Sequence, residues 1–496
     1  MFPTLRTWWS FLTMLSSNKA GPAVDVTPMP PAHRPPNVLL IVADDLGWND
    51  VGWHNPKMKT PTLNRLAEEG VTLNYSYVHP VCTPSRAAIL TGYYPFKTGL
   101  QHGALRKDKP YGLPLSYRLL PERLRDLGYS THMIGKWHLG FCRWQYTPTY
   151  RGFDSFLGFY TGAQDYYKHK TFGLRGYDFR YNTTIHKKRR SKYSTFAFAR
   201  RAIDVVKAHD TEKPLFLYLS FQAVHLPFQV PQRFEDMYKH VKQKKRRIYS
   251  GMVTAMDRAI GKIYSALVRR KMIKNTLLVF ISDNGGAANR GGGNNWPLRG
   301  GKSTLWEGGT RVPTFVWGRM LRKKSYTNNA LVHAVDWLPT ILAAAGAKPE
   351  SFMTMDGINQ WRTISRRAPP RRKEFIYGMN EISGRAAIRM GKYKLMVGKP
   401  GRYGGHYRPR QRRRKKAGRG LNTNASRRHL NITKLFNIED DPTERTNIAK
   451  MYPKIVTRMK ARLAYYRRHL VPALNPRKLR KAHPKHWGKV WTPGWC

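Results

Sequence analysis

The residues best equipped for chemistry in this chain fall in a few short motifs, the first being VCTPSRAAILTG at 81–92. Pro84 suits a first helical turn and Gly92 a stop, so Cys82 stands where a helix begins. Backbone N–H groups there have no helical partner, and with the Arg86 guanidinium one turn on they make a place for an anionic group. A second set offers oxygen: Asp44 and Asp45 in VADDLGWND, Asp283 and Asn284 in ISDNGG. Oxygen donors with no Cys or His beside them favour a hard cation, Ca²⁺ or Mg²⁺, over zinc. A third set carries cations and proton carriers: Lys136 and His138 in GKWHLG, His225 in AVHLP, and Lys302 in RGGKSTLWEGG. Lysines are point charges for anionic oxygens, and histidines titrate in the working range. Taken singly, each has an ordinary explanation: a buried cysteine in a turn, Asp as a helix cap, Asn-Gly as a turn, one lysine among 89 basic residues.

Their places argue otherwise, because they recur where strands end. The run 38–43, VLLIVA, is apolar throughout, which reads as a strand buried on both faces of a parallel sheet covered by helices. Ligands in such sheets bind off the carboxyl ends of strands, where Asp44 and Asp45 stand. Pro61 opens a helix that Gly70 closes, and VTLNYSYV leads as a strand into the Cys82 loop. A helix over 117–127 precedes a strand over 130–134, with Lys136 and His138 at its exit. A helix over 195–208 precedes the strand in PLFLYLSF, with His225 just beyond, and a helix over 248–270 precedes TLLVFIS, which ends in Asp283-Asn284. This alternation is the α/β pattern. The glycine-rich stretch 288–313 is a long loop with Lys302 in its middle, and long loops in compact domains are functional or disordered. VPTFVWG as a strand and a helix from His333 complete a first domain, 37–365. The basic break SRRAPPRRKE marks the boundary to a smaller α+β domain, 366–496. That domain has short antiparallel strands turning at Gly391, a final helix over 448–470 and a basic insert near 401–429.

With 89 Lys+Arg against 29 Asp+Glu the net charge is +60, so polyanionic partners are the natural inference: nucleic acid, sulfated glycan or an anionic membrane surface. The runs HKKRRSK at His186, KQKKRR at Lys242 and RPRQRRRKKAGR at Arg408 are, each alone, ordinary solvated faces. Together they point to retention on a polyanion. They lack a recognition helix or an aromatic stacking motif, so no specific nucleic acid is expected. A hydrophobic fraction of 41% excludes disorder throughout. Residues 1–17 read as a short signal peptide or anchor and the stretch to residue 36 as a Pro-rich linker, which predicts a secretory, lysosomal or extracellular location. No later run is apolar enough to span a bilayer, which excludes a multi-pass protein. If Cys82 is chemical, Cys142 and Cys496 make one disulfide at most, and spacing does not decide whether they are joined.

The run Cys82-Thr83-Pro84-Ser85-Arg86, followed by Leu90-Thr91-Gly92, resembles the signature of the type I sulfatases. The resemblance implies an alkaline phosphatase-like fold, in which a large mixed, mainly parallel sheet flanked by helices is joined by a smaller C-terminal α+β domain. It implies that Cys82 is oxidised by a formylglycine-generating enzyme to formylglycine, whose hydrate is the nucleophile. It also implies that Asp44, Asp45, Asp283 and Asn284 hold Ca²⁺ with the modified Cys82 completing the shell. Arg86, Lys136, His138, His225 and Lys302 match positions that hold the sulfate and move protons. WNDVGWHNP, THMIGKWHLG, RGFDSFLGF and DWLPTIL look like the arylsulfatase B branch, whose best-known member removes the 4-sulfate of N-acetylgalactosamine in sulfated glycosaminoglycans.

Three departures stand out: only three cysteines, Leu226 after His225 where an acidic residue is common, and GALRKDKPYG in place of a cysteine-bearing loop. The sequons at Asn74, Asn182, Asn424 and Asn431 fit a secreted protein, although Asn74 lies in a strand read as buried. The expected function is therefore sulfate-ester hydrolysis on a sulfated glycan. The alternatives are a phosphate or phosphonate monoester hydrolase of the same fold and a non-catalytic polyanion-binding protein.

Overall fold

The computed structural model describes residues 34–187, 192–401 and 432–496. The N-terminal segment through residue 33, the centre of the HKKRRSK run, the basic insert from 402 on with its RPRQRRRKKAGR run, and the sequons at Asn424 and Asn431 lie outside the described residues.

Two sheets organise the unit Pro35–Cys496. The larger has ten strands: β1 Asn37–Ala43, β2 Val71–Tyr77, β3 Ser130–Lys136, β4 Ser155–Phe159, β5 Arg180–Tyr181, β6 Thr184–Ile185, β7 Leu215–Ser220, β8 Thr276–Ser282, β9 Phe315–Trp317 and β10 Tyr326–His333. Their order is β10-β2-β9-β8-β1-β7-β3-β4-β5-β6. The central run β8-β1-β7-β3-β4 is parallel throughout, while β9 lies antiparallel between β8 and β2, and β5 and β6 close the far edge antiparallel. The sheet is thus mixed and mainly parallel, as expected.

The apolar run of β1 is explained by what covers it. Side chains alternate across a strand, so Leu39, Ile41 and Ala43 enter one core layer and Val38, Leu40 and Val42 the other. The first layer holds α1 Pro61–Glu69, α4 Ser194–Ala208 and α5 Lys244–Arg269; the second holds α2 Cys82–Thr91, α3 Leu120–Asp126 and α6 Trp337–Ala344. Burying a side chain such as Leu40 or Ile41 contributes about 1.5–3 kcal/mol, so one strand anchors two helical layers. The smaller sheet, β11 Glu374–Asn380, β12 Arg385–Met390, β13 Tyr393–Val397 and β14 Thr433–Asn437, is antiparallel in that order. Its buried Phe375, Ile388, Leu395 and Leu435 belong to the same core as Val38 and α2, and α7 Pro453–Arg467 adds Met459 and Leu463.

Several boundaries differ from the sequence reading for physical reasons. The helix expected from 117 starts at Leu120, where Pro121 sits in the first turn and the Glu122 carboxylate accepts the Leu119 N–H (2.5 Å). The helix expected from 248 starts at Lys244, so KKRR forms its first turn. Arg246 from that basic run is not solvated but buried, paired with Asp50 and donating to the Gly292 carbonyl (2.8 Å). The helix expected from His333 starts at Trp337, because the residues through His333 are strand β10. That strand's register with β2 shifts between Asn328 and Leu331, which breaks the two-residue alternation by which strands are read. The last helix spans Pro453–Arg467 rather than 448–470, Pro453 setting its start.

Asp257 of α5 clamps the start of α1, accepting the N–H groups of Leu63 (2.7 Å) and Thr62 (3.3 Å). Burial pushes its carboxyl up to about 6. The folded chain therefore keeps a proton that the unfolded chain releases, so stability from this group is present below its unfolded pKa and lost as pH rises through about 6. Asp257→Asn keeps an acceptor and removes the titration. Each pKa unit is worth about 1.4 kcal/mol, so between about pH 4 and 7 the variant is expected to gain on the parent by on the order of 2 kcal/mol. Urea unfolding at the two pH values checks this, and an equal difference at both would remove the titration from Asp257.

Candidate active site

β8 and β1 are parallel neighbours with Ala43 opposite Ser282, so Asp44-Asp45 and Asp283-Asn284 leave the sheet side by side. On the other flank of β1, β7 and β3 continue in parallel. Lys136 is the last residue of β3, His138 follows just beyond it, and His225 lies past the end of β7. Gly135 of β3 has φ +110, and a Cβ there would collide with the Ser220 carbonyl, so only glycine lets the two strand ends close in beside Lys136. Cys82 opens α2, all of whose residues are buried, and Lys302 arrives from the glycine-rich loop. All ten residues singled out in the sequence meet at this one edge.

The contacts are short and buried. Cys82 Sγ lies 3.5 Å from Asp44 Oδ1 and 3.5 Å from Lys302 Nζ. Lys302 Nζ pairs with Asp45 Oδ1 (2.6 Å) and Lys136 Nζ with Asp44 Oδ2 (2.7 Å). Arg86, one turn into α2, points back under the site: its Nε donates to Asp283 Oδ2 (2.9 Å), and its Nη1 donates to the Lys136 carbonyl (3.2 Å) and to Ser220 Oγ. Asn284 Nδ2 donates to Asp45 Oδ1 (2.8 Å), and His225 Nε2 stands 3.7 Å from Asp45 Oδ2.

These groups fit a cation. One ligand atom each from Asp44, Asp45, Cys82 and Asp283 lies within 4.8 Å of the others, all four residues buried. Asn284 Oδ1 is buried beside them with no hydrogen-bond partner. Three carboxylates and an orphaned amide oxygen make a hard-donor set. Burial and the neighbouring Asp283 push the Asp44 carboxyl above the usual carboxylate range. For Asp45 burial acts in the same direction, but Lys302 and His225 outweigh it and hold the group low. Burial pushes the Cys82 thiol well up, so the unmodified sulfur stays protonated and is a poor nucleophile as it stands. Burial, then Lys136 and Arg86, lower the pKa of His138, which keeps the ring neutral. Its Nε2 is 3.0 Å from the Leu105 carbonyl, an acceptor, so the proton sits on Nε2, and the buried Nδ1 is left with a lone pair and no partner.

Residues 36–347 match the family described as Sulfatase, in the same stretch that carries every residue above. The chain belongs to the sulfatase family. As a member of it the chain is a sulfuric ester hydrolase. It is 38% identical over 480 residues to arylsulfatase J of Mus musculus, covering 92% of this chain and 80% of that protein. It is 30% identical over 474 residues to N-acetylgalactosamine-6-sulfatase of Rattus norvegicus, covering 89% of this chain and 87% of that one. Among solved structures, Ps i-CgsB in complex with k-i-k-neocarrahexaose superposes with a TM-score of 0.77 at 31% identity, over 91% of this chain and 97% of that chain.

Some of the sulfatase's site lay beyond the ten residues singled out. Asp50 accepts the N–H groups of Gly47 (3.0 Å) and Asn294 (2.9 Å) and the Tyr249 hydroxyl (2.7 Å), so it holds the loop that follows Asp45 against the Gly-rich loop. The departing GALRKDKPYG loop turns out to buttress the centre: Leu105 donates its N–H to Thr83 Oγ1 (3.0 Å) and offers its carbonyl to His138. Above Cys82, His138, His225 and Lys302 a cavity of about 1070 Å³ opens to solvent. Part of its wall comes from the C-terminal segment, which no sequence motif marked.

Proposed function

We propose that this sulfatase removes sulfate from a sugar of a sulfated glycan, with the 4-sulfate of N-acetylgalactosamine in a glycosaminoglycan as the specific substrate. The observation that carries the reading is Cys82 at the buried start of α2, 3.5 Å from both Asp44 Oδ1 and Lys302 Nζ. Relatives named for N-acetylgalactosamine-6-sulfate hydrolysis, and one solved with a bound neocarrahexaose, support a sugar sulfate. They leave the 4-position to be tested against the 6-position.

Asp44, Asp45, Asp283 and Asn284, with position 82, would hold Ca²⁺, which when bound offsets sulfate charge and lowers the pKa of a hydroxyl at its edge. The formylglycine hydrate made from Cys82 would supply the attacking oxygen. Lys136 and Lys302 present ammonium groups to the anionic oxygens. His138 carries the free Nδ1 lone pair and takes a proton from position 82, and either His225 or Lys302, both lining the cavity, delivers one to the leaving sugar oxygen. Arg86 fixes Asp283 and the loop through its buried pair (2.8 Å). The reading includes a secretory-pathway location. There the formylglycine-generating enzyme would act, and the disulfide that joins Cys142 to Cys496 would persist. Among the described residues no helix is long and apolar enough to cross a membrane.

Mass spectrometry of the tryptic peptide 66–86 from protein made in its own host tests the nucleophile, and rates on paired sulfate and phosphate esters, then on 4- and 6-sulfated N-acetylgalactosamine, test the substrate. An aldehyde at position 82 with faster sulfate-ester turnover supports the reading; an intact thiol, or a preference for phosphate, overturns it. Removing the metal is a separate prediction. A ligand that binds only the folded state at about 100 times its Kd adds about 2.7 kcal/mol, which for a chain of this size is about 2–3 °C, so chelation is expected to lower Tm by that much and Ca²⁺ to restore it. A Tm indifferent to chelator and Ca²⁺ would remove the cation from this cluster.

A further inference from the structure

The cavity over Cys82 has a wall that sulfate removal itself does not use. The C-terminal segment, 471–496, carries six Lys/Arg and no Asp or Glu. From it Lys478, Arg480, His483, Lys485 and His486 line the same cavity as Cys82 and Lys302. The segment is firmly seated: Cys496 is bonded to Cys142, Trp491 and Trp495 are fully buried, and the Leu479 N–H donates to the Asp108 carbonyl (2.9 Å). Lys478 shares the Asp108 carboxylate with Arg106 (3.7 and 3.3 Å). Arg480 and Lys485 are exposed and have no ion-pair partner among the described residues.

Among the described residues Asp108 is the one carboxylate on the cavity lining and is already shared by Lys478 and Arg106, so Arg480 and Lys485 face the cavity without counter-charge of their own. Cations gathered in a concave wall raise the local concentration of anions. One sulfate ester at the floor would be met by Lys136 and Lys302, which leaves the wall unanswered. A volume of about 1070 Å³ sits at the top of the roughly 300–1,000 Å³ that encloses a drug-sized ligand, so there is room for more than one sugar. We propose that Arg480 and Lys485 form a second anion subsite of the active site, binding a sulfate or carboxylate on a sugar adjoining the one that loses its sulfate. The preferred substrate is then a polyanionic oligosaccharide rather than an isolated monosulfated sugar. This rests on the sulfate-ester reading of the Cys82 site.

The test uses the full chain and two probes that assume no particular sugar, sucrose octasulfate and inorganic sulfate, as competitors of 4-methylumbelliferyl sulfate hydrolysis. Losing two exposed charge contacts predicts that Arg480→Ala/Lys485→Ala raises the ratio of octasulfate Ki to sulfate Ki by a factor between about 2 and about 30. The charge-matched control Lys57→Ala/Lys274→Ala, both exposed and away from the cavity, should leave that ratio unchanged. An unchanged ratio in the first variant, or an equal rise in the control, overturns the subsite while leaving sulfate-ester hydrolysis intact. If aldehyde-bearing protein turns over no sulfate ester, the reading of the Cys82 site fails on its own. Calorimetric titration of octasulfate into the three proteins then tests the wall without turnover: affinity that falls only in Arg480→Ala/Lys485→Ala supports the subsite, and affinity equal in all three overturns it.

Discussion

Cys82→Ala is expected to fold like the parent and to lower kcat on an aryl sulfate by at least about 10⁴-fold, since removing a covalent nucleophile has cost on the order of 10⁶ where it has been measured. The two halves of that expectation have different causes. Alanine is the best helix former, and at the first residue of α2 it removes one sulfur atom, so the helix and its fully buried face survive. Lys302 keeps its pair with Asp45 (2.6 Å) and Lys136 its pair with Asp44 (2.7 Å), so the anion pocket survives as well. What is lost is the group proposed to form the bond to sulfur, together with its share in holding the cation. Initial rates on 4-methylumbelliferyl sulfate, with Tm read on the same preparation, check both halves. A variant with the parent's Tm and a rate within 10-fold of the parent's would move the nucleophile away from position 82.

The site was legible because most of its residues follow a strand end that announces itself locally, while Cys82 and Arg86 came with a helix start and Lys302 with a glycine-rich loop. A continuous apolar run such as VLLIVA or TLLVFIS followed by acids predicts both a buried parallel strand and a polar group at its exit. The sheet order then does the assembly, placing β8, β1, β7 and β3 side by side. What failed was whatever needed partners distant in sequence. Arg246 read as one more charge in a solvated run, yet Asp50 draws it into the interior. Strand β10 was hidden by its bulge, and the helix expected in its place begins only after His333. The free Nδ1 of His138 depends on the Leu105 carbonyl from a loop whose sequence departs from the family's. The basic wall of the cavity comes from the far end of the chain, where charge alone, among 89 basic residues, carries no address.

The other large effect expected lies outside the catalytic edge. Lys394 of β13 is fully buried between Glu307 Oε1 (3.0 Å) and Glu444 Oε1 (2.6 Å), and the Tyr77 hydroxyl donates to Glu307 Oε2 (2.7 Å). One ammonium thus serves two carboxylates, and burial pushes that of Glu444 up to about 7. Lys394→Met would leave those carboxylates facing each other in the core. Breaking a buried pair from one side costs about 3–5 kcal/mol, because the charge left behind has no partner. The double variant Lys394→Met/Glu444→Gln removes the conflict and is expected to recover part of that loss. The consequence reaches the active site through the chain itself: Glu307 closes the loop that carries Lys302, its N–H donating to Glu444 Oε2 (2.6 Å) and the adjacent Gly308 N–H to the Arg299 carbonyl (2.8 Å). Loosening Glu307 lets Lys302 drift from Asp45, so the folded fraction of Lys394→Met should show a raised KM for aryl sulfate. Denaturant unfolding of the three proteins separates the outcomes. A single variant within about 1 kcal/mol of the parent, as for an ordinary surface ion pair, would mean the smaller sheet is held by its apolar contacts alone.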